Sequence, residues 1–88
     1  MTNMVLLVQE AIAKVCNVPP ERVEAAARLA DLGVDSLAAA EVLVELEVRT
    51  GRDFPVHVLR RLGEAATVGD VAILLEAAVG GEVSRGST

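Results

Sequence analysis

Leu32-Gly33-Val34-Asp35-Ser36-Leu37 is the point where an irregular stretch gives way to Ser36–Thr50, SLAAAEVLVELEVRT, a run without glycine or proline. Ala, Leu and Glu dominate it, and these are good helix formers, so a helix over 36–50 is predicted. Gly51 fits the left-handed position just past a helix end, and Arg49 sits near the negative end of the helix dipole. Ala39, Val42, Leu43, Leu46 and Thr50 share one side, an adequate core stripe. Leu37, Val44 and Val48 fall roughly opposite, flanked by Glu41 and Glu45 on one edge and Glu47 on the other. A helix in a thin bundle cannot bury both faces. One apolar strip with a carboxylate rim is therefore left to solvent, which is the composition of a docking face. Scattered surface aliphatics, common on any protein, are the plainer account.

Outward from this helix, Met4, Leu7, Val8, Ala11, Ile12 and Val15 repeat at helical spacing and predict a first helix. Asn17 and then Pro19-Pro20 stop it, since proline cannot continue the hydrogen-bond ladder. Residues 17–35 form a long connection in which Pro20-Glu21-Arg22-Val23 can open a single helical turn. Leu29 and Leu32 are expected to pin this loop to the core. So long a loop in a small domain points to a function. Phe54-Pro55 breaks the chain again, a short helix follows over 56–62, and Gly63 ends it. Thr67-Val68-Gly69-Asp70 has the form of a capping box. It opens a last helix with Val68, Val71, Ala72, Leu75 and Val79 on one face, which Gly80-Gly81 is expected to end. The fold class is all-α: a four-helix bundle of three longer helices and a short third one, with a long loop between the first two. Residues 1–80 make the domain and 81–88 a polar, disordered tail.

The chain has 88 residues, enough for one small domain. Eight basic and 13 acidic side chains leave a net charge of −5, which argues against tracking nucleic-acid phosphates. One Phe and no Tyr or Trp leave no stacking platform for bases. The longest apolar runs, Met4–Val8 and Val71–Leu75, are far too short to span a membrane. No secretory signal is present and the lone Cys16 excludes an internal disulfide framework, so a cytoplasmic protein is expected. Cys16 and His57 cannot by themselves close a zinc site, and neither lies in a strained nucleophile turn. Cys16 reads as a small hydrophobe at a helix end and His57 as a surface residue. No catalytic residues and no metal site are predicted.

Ser36 lies where free backbone N–H groups and the positive dipole end come together, a good place to carry a phosphate. From position alone, Asp35 or Ser36 acting simply as the helix cap is the simpler account.

The chain resembles the acyl carrier protein family. The matching residues are Asp31-Leu32-Gly33-Val34-Asp35-Ser36-Leu37, Glu41 five positions after the serine, the Phe54-Pro55 break and Thr67-Val68-Gly69-Asp70. The likeness covers residues 4–79, nearly the whole domain. It implies that a phosphopantetheinyl transferase attaches 4′-phosphopantetheine from coenzyme A to the Ser36 hydroxyl. The arm's thiol then holds acyl or ketide intermediates as thioesters, while the chain itself has no catalytic activity. It further implies docking of the transferase, ketosynthase, acyltransferase or other biosynthetic enzymes through Asp35, Glu41, Glu45 and Glu47, with Leu37 and Val44 as apolar contacts. A monomer is expected, with neither nucleic acid nor membrane as partner.

The family's third helix is often acidic, whereas here it reads Val58-Leu59-Arg60-Arg61-Leu62, and Arg49 and Arg52 interrupt the acidity near the end of the second helix. Arg60 and Arg61 are therefore expected to meet acidic residues on dedicated partners. The Ala-, Val- and Arg-rich composition resembles polyketide carriers more than fatty-acid ones. A peptidyl carrier for aminoacyl thioesters is the near alternative, with Asp35 counting against it, because such carriers more often have Gly or His before the serine. An unmodified helical adaptor, in which Ser36 only caps, is the alternative of another class.

Overall fold

Four helices and one short turn follow from the punctuation of the chain. The computed structural model describes residues 4–86, and side chains as far as residue 78. They are α1 (Met4–Cys16), a 3₁₀ turn at Pro20–Arg22, α2 (Ser36–Thr50), α3 (Val56–Leu62) and α4 (Val68–Gly86). Among the described residues there is no strand, only a single bridge between Arg28 and Thr67. The all-helical bundle with a short third helix is thus the fold the sequence implies.

Each helix end has a local cause. Asn17 takes a left-handed φ of 58°, and Val18 N–H donates to the Ala13 carbonyl at 3.1 Å, closing α1 with a Schellman turn. Gly51, at φ 69°, lets its N–H reach the Glu47 carbonyl and ends α2. At the start of α4, Asp70 Oδ2 accepts from Thr67 N–H and Asp70 N–H donates to Thr67 Oγ1, both at 3.2 Å, so the capping box forms as read.

The far end of α4 departs from expectation. The helix runs through Gly80-Gly81 to Gly86, past the glycine pair expected to end it. Glycine in a helix costs about 1 kcal/mol relative to alanine but keeps its N–H, unlike proline. Without proline or a left-handed turn, the pair weakens the helix and does not stop it. Val79's side chain and residues 87–88 lie outside what is described.

One core unites the helices. Val8, Ala11 and Ile12 of α1, Ala39, Val42, Leu43 and Leu46 of α2, Val58 and Leu62 of α3, and Val68, Val71, Ala72 and Leu75 of α4 are all buried. Met4, Leu7 and Val15 pack against its edge. The long loop joins the core through buried Val23 and Leu29 and half-buried Leu32. Gln9 Nε2 donates to the Val23 carbonyl at 2.8 Å, which fastens the 3₁₀ turn to α1.

A backbone clasp ties the same loop to the head of α4. Leu29 N–H donates to the Ala66 carbonyl and Val68 N–H to the Ala27 carbonyl, each at 3.0 Å. Gly69 N–H reaches the Ala25 carbonyl at 2.8 Å. A Cβ at Gly69 would lie 3.2 Å from that same oxygen, so this close approach favours glycine.

Candidate functional site

Asp35 settles how α2 begins. Its backbone is extended (φ −93°, ψ −171°), and its Oδ1 accepts from Ala38 N–H at 2.8 Å. Asp35 is therefore the N-cap, and the capping role left open between Asp35 and Ser36 falls to the aspartate. Ser36, the first helical residue, is exposed, and its hydroxyl has no partner among the described residues.

Beside Ser36 lies a cleft of about 380 Å³ between the loop, the head of α2 and the link from α3 to α4. Leu29, Val34, Ala39, Leu62 and Ala65 give it aliphatic walls, and Arg28 is its one cation. A larger cleft of about 500 Å³ between α3 and α4, with His57 and Arg61 at its lip, does not include Ser36. Among the described residues no group of three or more His, Cys, Asp or Glu side chains could hold a metal ion. No described helix is long and apolar enough to cross a membrane.

The α2 strip is where the spacing puts it. Leu37, Val44 and Val48 are 70%, 57% and 75% exposed. The carboxylates around them divide into two groups. Glu41 is exposed and has no partner among the described residues. Glu45 instead meets Lys14 of α1 at 3.4 Å and Arg49 at 2.9 Å, and Arg49 reaches on to Glu10 of α1 at 2.9 Å. Partial burial pushes the Glu45 carboxyl up, but hydrogen bonds and charge from Arg49 and Lys14 outweigh it and hold the group below the ordinary glutamate value. Glu47 Oε2 accepts from Phe54 N–H at 2.8 Å and so braces the turn after α2. Arg60 and Arg61 are exposed on α3, and neither has a partner among the described residues.

Cys16 is half-buried at the end of α1. Burial pushes its thiol up, and the Asp35 and Glu41 carboxylates act in the same direction. A thiol so placed stays protonated at neutral pH and is a poor nucleophile.

The cleft residues Arg28 and Ala65 are not singled out by the sequence pattern. They meet only because the backbone clasp folds the loop onto the head of α4, and that clasp joins main-chain atoms that carry no residue signature.

A small aliphatic bundle with a pinned loop and an unengaged serine at the mouth of its second helix defines a helical carrier domain. Residues 7–75 match the family described as Phosphopantetheine attachment site, and the chain belongs to that family. Its covalent cofactor is accordingly 4′-phosphopantetheine. The chain is also 37% identical over 79 residues to a non-reducing polyketide synthase, pkiA, of Emericella nidulans. That match takes in 89% of this chain but about 3% of the length of the synthase. The residues at Ser36 suit the cofactor: a free hydroxyl for a phosphodiester, and an aliphatic hollow beside it for a flexible arm.

Proposed function

We propose that this chain is an acyl carrier of polyketide type, with 4′-phosphopantetheine attached at Ser36. The single observation behind this reading is that Asp35 caps α2 and leaves the Ser36 hydroxyl free at the edge of an aliphatic cleft. The likeness to a polyketide synthase supports the choice of pathway. On attachment, Ser36 Oγ gives up its proton and bonds to the phosphorus that bears the pantetheine, the pyrophosphate P–O bond of coenzyme A breaks, and adenosine 3′,5′-bisphosphate leaves. The bound arm supplies a thiol that carries acyl or ketide groups as thioesters. The chain does no catalysis of its own and works as a cytoplasmic monomer, with residues 1–80 as the carrier unit.

The rest of the surface serves encounter. Leu37, Val44 and Val48 form the apolar centre for a phosphopantetheinyl transferase, a ketosynthase or an acyltransferase. Glu41 presents free charge at its rim, and Asp35, Glu45 and Glu47 contribute while held by their internal partners. Arg60 and Arg61 select those partners that carry acidic residues. Charge of this kind raises encounter rates and selects partners more than it tightens complexes, as a shuttling carrier requires.

Incubation with coenzyme A and a promiscuous transferase, followed by intact-mass measurement, tests the reading. A gain of one phosphopantetheinyl group that Ser36→Ala abolishes is expected. No gain under conditions that modify a control carrier overturns it in favour of an unmodified adaptor. Loading from aminoacyl but not acyl or malonyl donors would make the chain a peptidyl carrier instead.

A further inference from the structure

The cleft beside Ser36 is aliphatic except at two places, Arg28 and the head of α2. Asp35, which also lines it, is occupied with Ala38 N–H. Arg28 is different. Its main chain is fixed by the bridge to Thr67 and by the flanking bonds of Leu29 and Val68, while its guanidinium has no partner among the described residues. The residue thus lines an apolar hollow with its main chain held and its guanidinium unpaired among the described residues. Among the described residues no other arginine lines this cleft: Arg49 is paired with Glu45 and Glu10, Arg22 lies in the 3₁₀ turn, Arg52 follows α2, and Arg60 and Arg61 lie on α3. In a chain of net charge −5, a lone cation over this cleft attracts an anionic occupant. A guanidinium also matches paired oxygens on phosphorus or carbon better than a point charge does.

We infer that Arg28 is a positioning and specificity residue, which holds an anionic oxygen of whatever is tethered at Ser36. The inference rests on the reading that Ser36 bears the phosphopantetheine arm. The oxygen can belong to the phosphodiester at the base of the arm or to a carboxylate on the cargo. Both are the same chemistry to the guanidinium, and the loading state separates them.

The test compares wild type, Arg28→Gln and Arg28→Lys, each prepared unmodified, pantetheinylated, acetyl-loaded and malonyl-loaded, with intact mass confirming every state. Melting temperature is recorded for every state and the phosphorus-31 resonance for the three that carry the arm. If the phosphodiester is the ligand, attaching the arm raises the melting temperature of wild type by about 2–4 °C more than that of Arg28→Gln, the shift an exposed charge pair gives in a domain of this size. The phosphorus resonance then moves in Arg28→Gln whatever the load, and Arg28→Lys keeps part of the effect. If the cargo is the ligand, only the malonyl state gains over the acetyl state, and the gain vanishes in Arg28→Gln. Equal loading increments and an unmoved resonance in Arg28→Gln, with the arm on Ser36, overturn the role of Arg28 alone. Attachment at another residue, or none, overturns both this inference and the carrier reading.

Discussion

Removing the Ser36 hydroxyl should leave the fold intact, whereas removing its neighbour's carboxylate should not. In Ser36→Ala no hydrogen bond is lost among the described residues, and alanine is the better helix former. The melting temperature should stay level or rise slightly. Asp35→Ala deletes the 2.8 Å bond to Ala38 N–H and leaves that donor without a protein partner. Loss of an N-cap costs about 1 kcal/mol. In a domain of this size that lowers the melting temperature by about 4–8 °C. Asp35→Asn keeps the cap, because asparagine ranks with aspartate there, and gives up only a charge–dipole contribution of about 0.3–1 kcal/mol. Both Asp35 variants remove the rim charge, so both should slow modification by the transferase to a similar degree at low salt. Thermal melting by circular dichroism and modification rates read from intact mass give the two axes. A Ser36→Ala protein that melts as early as Asp35→Ala would refute the assignment of the cap, and with it the claim that the serine is free for attachment. Modification rates that follow melting temperature across the Asp35 pair, with Asp35→Asn near wild type, would refute the rim-charge role.

The unequal state of the α2 glutamates predicts that Glu41→Gln slows transferase modification at low salt more than Glu45→Gln does, and that added salt shrinks the difference. For Glu45, whose carboxyl is held below the ordinary 4.5, the stabilising contribution is present above that value and is lost as pH falls through the lower folded one. Acid titration of Glu45→Gln should accordingly show a shallower loss of stability below about pH 4.5 than wild type. Gly51→Ala should lower the melting temperature by about 4–8 °C, since a left-handed backbone costs a side-chain-bearing residue about 1 kcal/mol. Gly51→Asn should cost less, and equal melting of Gly51→Ala and wild type would count against the helix-end geometry. In native-state hydrogen exchange, α3, which buries only Val58 and Leu62, should open before α2. Equal protection of the two helices would contradict this.

How much of this was legible in the sequence differs by the kind of interaction involved. Ala39, Val42, Leu43 and Leu46 declare the buried side of α2 because a helix turns at a fixed angle, and all four are buried. Thr67 and Asp70 declare a cap because three-residue spacing suits a reciprocal pair of bonds. The clasp between residues 25–29 and 66–69 is invisible in advance, since it runs between main-chain groups common to every residue type. Arg28 and Ala65 therefore gave no sign that they share a cleft with Ser36. Gly80-Gly81 misleads for a related reason. Glycine ends a helix only when a left-handed turn is formed, and composition alone does not say whether one is.

The glutamates of α2 show where reading charge from a wheel stops being enough. Glu41 belongs to the face turned away from the core, where neither α1 nor α3 supplies it with a partner, so its charge remains available. Glu45 lies further round, on the flank that meets α1, and there Lys14 and the Arg49–Glu10 pair neutralise it. Glu47 lies on the other flank and is taken up by the turn that leads to α3. The same side chain thus acts as a brace on either flank and as a free charge only at the front. These braces tie α2 to α1 on one side and to the turn after it on the other, without drawing on Leu37, Val44 or Val48. The apolar strip is therefore exposed and takes no part in the contacts that fix the helix presenting it, with Ser36 at its head.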